Sequence, residues 1–534
     1  MPIARYVRSL FHDRPVGEID GTLNDLAATN RWLATHGAGP IPKRPTASSD
    51  RPRQVFEIRP DLRAAFPHAL LPPGRKAFFN WLFTHGKAEY ALTNPEIIAF
   101  LVELGRDPTS GIECTYRLTP SWQKAVPAGL SASGWDTLIR WLRSTEEISG
   151  EWLDHAVQSN AGTHAGGLNL IGHFRLPCGV GEEIARFADG LEQLDIPISR
   201  RDVPTFQLTP PICGIRPLGL ENHDITFLKF GATVDLRDAF ERTGLYPRPG
   251  VYRVAGWSWE LDTFPLEATR QLDFVDEIWT PSRFVADGAE RIAAGRPVTI
   301  MPPAIPVPVI PSHARARFDL DPKAFVIFFA FDAGSVFERK NPFALIQAVR
   351  AAFRRDDRAT LVLKVSNPTA AAGPMARLRT ELNEIGGRLI EGMIPREDVA
   401  ALLSACDCYA SLHRSEGFGF SLAEAMLLGK PIVATGYSGN LDFMSSENSY
   451  LVSHRLIELE SAVGPYAKGA RWAEPNVDHA AELLRQVYEF PDDARQFGLN
   501  AKQELEPRFA PSTAARRIVQ RLQTIRESRG RTAA

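Results

Sequence analysis

Little in this chain points to a covalent or metallic framework. Its 534 residues hold five cysteines, Cys114, Cys178, Cys213, Cys406 and Cys408. None stands in a CxxC pair and the number is odd, which argues against a disulfide scaffold and against a zinc site. A reducing cytosol is the expected setting. Long hydrophobic runs are missing as well. No stretch of about 18 apolar residues occurs, so no spanning helix is predicted, and the opening MPIARYVRSLFHDR lacks the apolar centre of a signal peptide. An excess of one charge is also missing: 61 basic residues face 63 acidic ones. That balance gives no field for nucleic acid, which is excluded as the main partner. What remains is ordinary soluble composition, 44% hydrophobic and 23% charged, in a chain too long for one core.

The texture changes along the chain. Residues 1–160 read as a mainly helical extension with Pro- and Gly-containing loops. GRKAFFNWLFTHGKAEYALTNPEIIAFLVEL has helical spacing with a break near Leu92–Pro95, where Asn94 is the expected N-cap and Pro95 the first helical residue. The Trp and Phe residues of this part are expected to pack rather than bind. Residues 161–310 alternate strands (GLNLIGHF, DITFLKF, GVYRVAGW, DEIWTPS) with helical stretches. PVTIMPPAIPVPVIP, Pro297 to Pro311, reads as a semi-rigid connector. Residues 311–534 restart the alternation with FVIFFAF, TLVLKVS, RLIEGMI, CDCYASLH and KPIVATG. Continuous apolar strands imply parallel sheets covered on both faces. The predicted fold class is therefore α/β: two Rossmann-like doubly wound domains facing a cleft, with ligands beyond the carboxyl ends of the strands.

One such end carries SEGFGFSLAEAMLLGKPIVATGYSGN. Glu416 follows the strand CDCYASLH, and Ser421-x-x-Glu424 matches a capping box, so Glu424 has a plain structural reading. The loop allows another. Gly417 and Gly419 let backbone approach a ligand, the helix start attracts phosphate, and Glu416 and Glu424 can accept hydrogen bonds from sugar hydroxyls. A diphosphate flanked by two polyols would use all of them. Arg339 and Lys340 lie in FDAGSVFERKNPFALI, beyond another strand's carboxyl end, where two cations suit an anionic ligand better than an exposed face.

These residues resemble the Glu-x7-Glu signature of family 4 retaining glycosyltransferases with the GT-B fold (glycosyltransferase group 1). The likeness extends over roughly residues 165–520. It implies that Glu416 lies beside the donor hexose and that Glu424 binds the ribose. Gly417, Phe418 and Gly419 then give backbone contacts, and Ser421 lies at the helix start. Lys340 and Arg339 face the diphosphate, although the common pattern has its arginine nearer the strand, where this chain has Phe331 and Asp332. Met393 and Ile394 in EGMIPRED fall where relatives hold the base, and Asn440 in GYSGN is a further donor-site candidate.

On the acceptor side, GHFRLPCGVGEEIARF resembles the family's glycine-rich loop, with Gly179 and Gly181 facing phosphate and acceptor. GWSWELDTFP and DEIWTPSRF resemble bacterial polysaccharide-pathway members and bring Trp259 and Glu260 toward the cleft. Many relatives carry a histidine in this region; here His173 and His223 are the nearby ones.

The implied activity is retaining transfer of a hexose, mannose among the candidates, from a nucleoside-diphosphate sugar to a saccharide or lipid-linked acceptor. Neither metal nor cofactor is expected, and the resemblance allows cytoplasmic location with peripheral contact at the inner membrane face. Two other classes compete: a non-catalytic nucleotide-sugar or glycan-binding module, and a dinucleotide oxidoreductase, which would need a complete glycine fingerprint and a partner acid.

Overall fold

Apolar β-branched and aromatic runs become buried strands, and several of the helices begin where proline or a capping side chain fills the first turn. The computed structural model describes residues 26–42, 50–106, 108–129, 134–145, 166–174, 179–202, 221, 223–236, 250–310, 314–354 and 356–532. Two units divide the chain. The first is Met1–Gly181, Ile196–Leu228 and Asp235–Arg253; the second is Glu182–Asp195, Lys229–Val234 and Val254–Ala534.

The first unit opens with helices, among them Asp50–Ile58, Pro72–Trp81, Asn94–Arg106, Pro108–Leu118 and Trp135–Thr145. Pro60, Pro72 and Pro120 occupy first turns, where the missing N–H is not needed. Phe78, Phe79 and Phe100 are fully buried and form an aromatic core with Trp81; each buried ring stabilises the fold by about 1.5–3 kcal/mol. The break near Leu92 is real, because Ala91 turns left-handed (φ 49). The cap is not Asn94, however. Thr93 accepts from the Glu96 amide, and Glu96 accepts from both the amide (2.8 Å) and hydroxyl (2.7 Å) of Thr93. A capping box one residue earlier satisfies two orphan donors and frees the Asn94 amide to reach the Gly37 carbonyl. Residues 1–25 and 146–165, which include the N-terminal MPIARYVRSLFHDR, lie outside the described residues.

Six strands follow: β1 Leu168–Gly172, β2 Ile198–Asp202, β3 Ile225–Lys229, β4 Tyr252–Gly256, β5 Glu277–Thr280 and β6 Val298–Ile300. Their order is β2-β1-β3-β4-β5-β6, with parallel pairing of β1 to β2, β4 to β5 and β5 to β6. The proline-rich segment is thus no free connector. It starts as strand β6, buries Met301, Ala304 and Ile305, and is tied down by Ile305 donating to the Phe509 carbonyl.

A second set within the second unit comprises β7 Phe325–Asp332, β8 Ala359–Ser366, β9 Arg388–Glu391, β10 Cys408–Ser411, β11 Ile432–Thr435 and β12 Tyr450–Val452. These strands lie in the order β12-β11-β10-β7-β8-β9, paired in parallel. Val326, Ile327, Phe328 and Phe329 of β7 are all buried, as a strand covered on both faces requires. A hairpin, β13 His454–Glu458 with β14 Arg471–Pro475, adds the antiparallel pair. Cys406 and Cys408 are buried free thiols, and burial pushes Cys406 up to about 12, which makes it inert. The final helix, Pro511–Thr532, buries Ile518, Leu522 and Ile525 and sets Arg521 against Glu277 of β5 with two 2.8 Å bonds. Among the described residues no helix is long and apolar enough to cross a membrane.

Candidate active site

In the second sheet the chain runs outward from β7 to β9, then returns to place β10 on the other side of β7. That reversal is a topological switch point, and in open α/β sheets ligands bind beyond the carboxyl ends of the strands at such a point. The segment after β7 carries Arg339 and Lys340; the segment after β10 carries Glu416.

The first segment makes one helical turn, Phe337–Lys340, between two non-glycine residues with positive φ, Val336 (57°) and Asn341 (52°). For a β-branched valine this conformation costs about 1–3 kcal/mol. Asn341 offsets part of the cost by donating to the Leu412 carbonyl at 3.0 Å. The turn aims both cations at one carboxylate. Lys340 Nζ lies 2.5 Å from Glu416 Oε1 and Arg339 Nη1 lies 3.2 Å from Oε2.

Arg339 is 1% exposed. It donates to the Ser415 carbonyl, and to the carbonyl and hydroxyl of Ser335, while its Nε has no partner. Burial lifts the Glu416 carboxyl, but the charges of Lys340 and Arg339 outweigh it and hold Glu416 at about 2. Burial lowers Lys340 against the pull of Glu416. In Arg339 burial also lowers, but Glu416 and Glu260 prevail and raise it.

Glu260 stands 4.0 Å from Arg339 and accepts a 3.0 Å bond from the Tyr466 hydroxyl. Its backbone carbonyl accepts from Ser415 Oγ. Trp259 is buried instead: its indole N–H donates to the Thr263 carbonyl, and its ring packs against Phe264 and Tyr466.

The helix Phe420–Leu427 starts on Gly419 in the left-handed region (φ 97), with no side-chain cap. Ser421 therefore lies inside the helix, and the expected capping box does not form. Glu424 turns elsewhere. Its Oε1 accepts from Arg186 at 2.6 Å and Arg396 at 2.8 Å, and Glu182 bridges the same two arginines at 2.8 and 2.7 Å.

The loop's position is set by backbone layering. A Cβ on Gly417 would stand 2.7 Å from the Trp259 carbonyl, and one on Gly439 would stand 2.1 Å from the Gly417 carbonyl. Gly439 also donates to the Glu416 carbonyl at 2.9 Å. Gly439→Ala is accordingly expected to destabilise the protein by about 3 kcal/mol, the upper range for overpacking, and to lower its melting temperature in calorimetry. An unchanged melt would contradict this stacking.

The remaining candidates are dispersed. Asn440 is fully buried, bonded to His413 and to the Thr435 carbonyl. Phe418 packs its ring against Phe420, Phe443 and Phe509, leaving its backbone at the loop. Met393 is 55% exposed beyond β9, with Ile394 packed on the core. Gly179 and Gly181, at the end of a first-unit segment, open the helix Gly179–Gln193, whose remainder from Glu182 belongs to the second unit; residues 175–178 of that loop lie outside the described residues. His173 and His223 also belong to the first unit.

Sequence reasoning did not find Arg186, Arg396, Glu182, Tyr466 or His413. Arg396 stood in the quoted EGMIPRED, but no local spacing links it to Glu424. Among the described residues no group of three or more His, Cys, Asp or Glu could hold a metal.

No curated protein matches the sequence. Among solved structures, sucrose-phosphate synthase from Thermosynechococcus elongatus aligns over 68% of this chain and 99% of its own, with a TM-score of 0.51 and 15% identity. HepE from Anabaena in complex with UDP and glucose aligns over 67% of this chain and 99% of its own, with a TM-score of 0.48 and 16% identity. A glycosyltransferase from Rickettsia africae gives 68%, 98%, 0.48 and 11%. Identities this low speak to fold alone, and the fold is GT-B: two parallel-sheet, Rossmann-like domains. Residues 315–504 match the family model Glycosyl transferases group 1, a stretch that holds Arg339, Lys340, Glu416 and Glu424.

Proposed function

We propose that the protein is a retaining hexosyltransferase of family 4. It moves a sugar from a nucleoside diphosphate to a saccharide or lipid-linked saccharide acceptor in surface or exopolysaccharide synthesis. The observation that carries this reading is the convergence of Lys340 and Arg339 on Glu416, at a switch point and beside the start of a helix.

The chemistry follows from charge. As the glycosidic bond to the diphosphate breaks, negative charge grows on the leaving oxygen, and fixed cations in a poorly hydrated site stabilise it more than the ground state. Lys340 and Arg339 supply that charge in place of a metal. Glu416 remains ionised at neutral pH and accepts a hydroxyl of the donor hexose. Glu424 accepts the ribose hydroxyls once its arginines yield. No strong protein nucleophile is needed, because the departing diphosphate takes the acceptor proton on the same face, which preserves the anomeric configuration. Positioning supplies much of the remainder.

The test is a panel of UDP- and GDP-hexoses. One donor is expected to raise the melting temperature, as binding to the native state must, and to release its nucleoside diphosphate slowly. NMR of the anomeric proton should show the donor's own α configuration in the product. Inversion would overturn the retaining assignment. Binding without release would leave a nucleotide-sugar-binding module, and no response to any donor would remove the reading altogether.

A further inference from the structure

On the other side of the basic turn lies a cleft of about 510 Å³ that contains none of Lys340, Glu416 or Glu424. We propose that it is a second binding site, for a neutral oligosaccharide. Its volume falls within the range of about 300–1,000 Å³ usual for small-ligand sites.

The lining decides the ligand class. Phe343, Pro342 and Pro374 offer apolar surface, and Glu338, Arg377, Arg414 and Glu474 surround it with groups that bond hydroxyls. A pyranose needs both, since it has C–H faces and a hydroxyl rim. An anion is disfavoured because each arginine already has its carboxylate: Arg414 bonds Glu474 at 2.8 Å, and Arg377 bonds Glu381 at 2.6 Å. Arg377 also lies 4.2 Å over the Phe343 ring, so its guanidinium forms that part of the wall, and the apolar surface left for a sugar's C–H face is chiefly Pro342 and Pro374. A purely apolar ligand would leave four charged groups without water, which is costly.

The cleft touches the proposed transfer centre through backbone. Arg414 donates its amide to the Arg339 carbonyl and its Nη1 to the Glu338 carbonyl, both at 2.8 Å. A saccharide held by Glu338 and Arg414 therefore braces the turn Phe337–Lys340, whose two ends sit in strained conformations. Occupancy of the cleft orders the segment that carries Arg339 and Lys340.

The experiment is titration of the full chain with maltotetraose and cellotetraose, each followed by calorimetry, with glucose 1-phosphate as the charged comparison. At least one tetrasaccharide is expected to bind, and amide exchange across residues 337–341 to slow on binding. Gly373 lines the cleft, and a Cβ there meets nothing within 4 Å, so Gly373→Trp projects a ring into the cleft from a position where the first side-chain atom meets open space. It should weaken binding at least about tenfold. Arg377→Ala, a surface change, should weaken it as well and serves if the tryptophan variant fails to fold. UDP or GDP in excess should not displace the tetrasaccharide, which separates this site from the donor site. The proposal falls if neither tetrasaccharide binds, if binding survives the variants, or if only glucose 1-phosphate binds in the cleft.

Discussion

Lys340→Ala is expected to transfer sugar about 10²–10³-fold more slowly than the wild type at saturating donor, the usual loss when one preorganised charge-stabilising group is removed. The reason is where the charge appears. In the resting structure Lys340 faces Glu416 at 2.5 Å, and a donor diphosphate brings a stronger anion whose charge rises further in the transition state. An interaction that strengthens along the reaction shows in kcat more than in KM. Lys340→Arg should recover little, because a planar fork cannot replace a point charge in the same space. Arg339, almost fully buried and held by Ser335 and Ser415, cannot swing across to compensate. Release of nucleoside diphosphate, measured at saturating donor, gives the answer. A near-normal rate would mean that Lys340 does not stabilise the leaving group.

Glu416→Gln is expected to produce the largest loss of stability, about 3–5 kcal/mol, since removing one partner of a buried pair leaves charge uncompensated. Here a single carboxylate serves two cations. Its pH dependence is specific. Glu416 is depressed from an ordinary 4.5 to about 2 in the folded protein, so its contribution is complete above about pH 4.5 and is lost as the pH falls through about 2. The linked stability is about 3 kcal/mol from that displacement. The stability gap between wild type and variant should therefore be constant at neutral pH and close between pH 4.5 and 2. Thermal melts of both proteins across that window test it, and a gap independent of acid would show that the pair is not made in solution.

The strands that could be read from the chain were those whose burial is complete. FVIFFAF is apolar throughout and TLVLKVS has an apolar centre, LVL, because both faces are covered, and such runs need no tertiary knowledge. Strand β2, Ile198–Asp202, contains two arginines and an aspartate and gave no such signal. Strand β13 of the hairpin is largely exposed and equally silent. Strand β6 was hidden by the prolines that follow it, although Val298–Ile300 precede them and can pair.

The site divided in the same manner. Glu416, Lys340 and Arg339 each follow a strand's carboxyl end, so topology alone points to them. Glu424 was ambiguous in sequence because Ser421-x-x-Glu424 satisfies the capping pattern. Gly419, whose freedom at positive φ starts the helix two residues earlier, decided the matter. The arginines that meet Glu424 lie 238 and 28 residues away in the chain, beyond any local pattern.

Two contacts made near the C-terminal end bear on how this protein could be rebuilt. Ile305 is bonded to Phe509 at 2.9 Å, and Glu277 is clasped by Arg521. The points where the chain enters and leaves the part that holds the second sheet are thus neighbours, so residues 306–508 form an insert with adjacent ends rather than a tail. A chimera that exchanges this segment as a cassette keeps the host's final helix on its own β5. One that replaces everything after the prolines instead strips Glu277 of its arginine. Exchange of donor specificity between relatives should therefore use two junctions, not one.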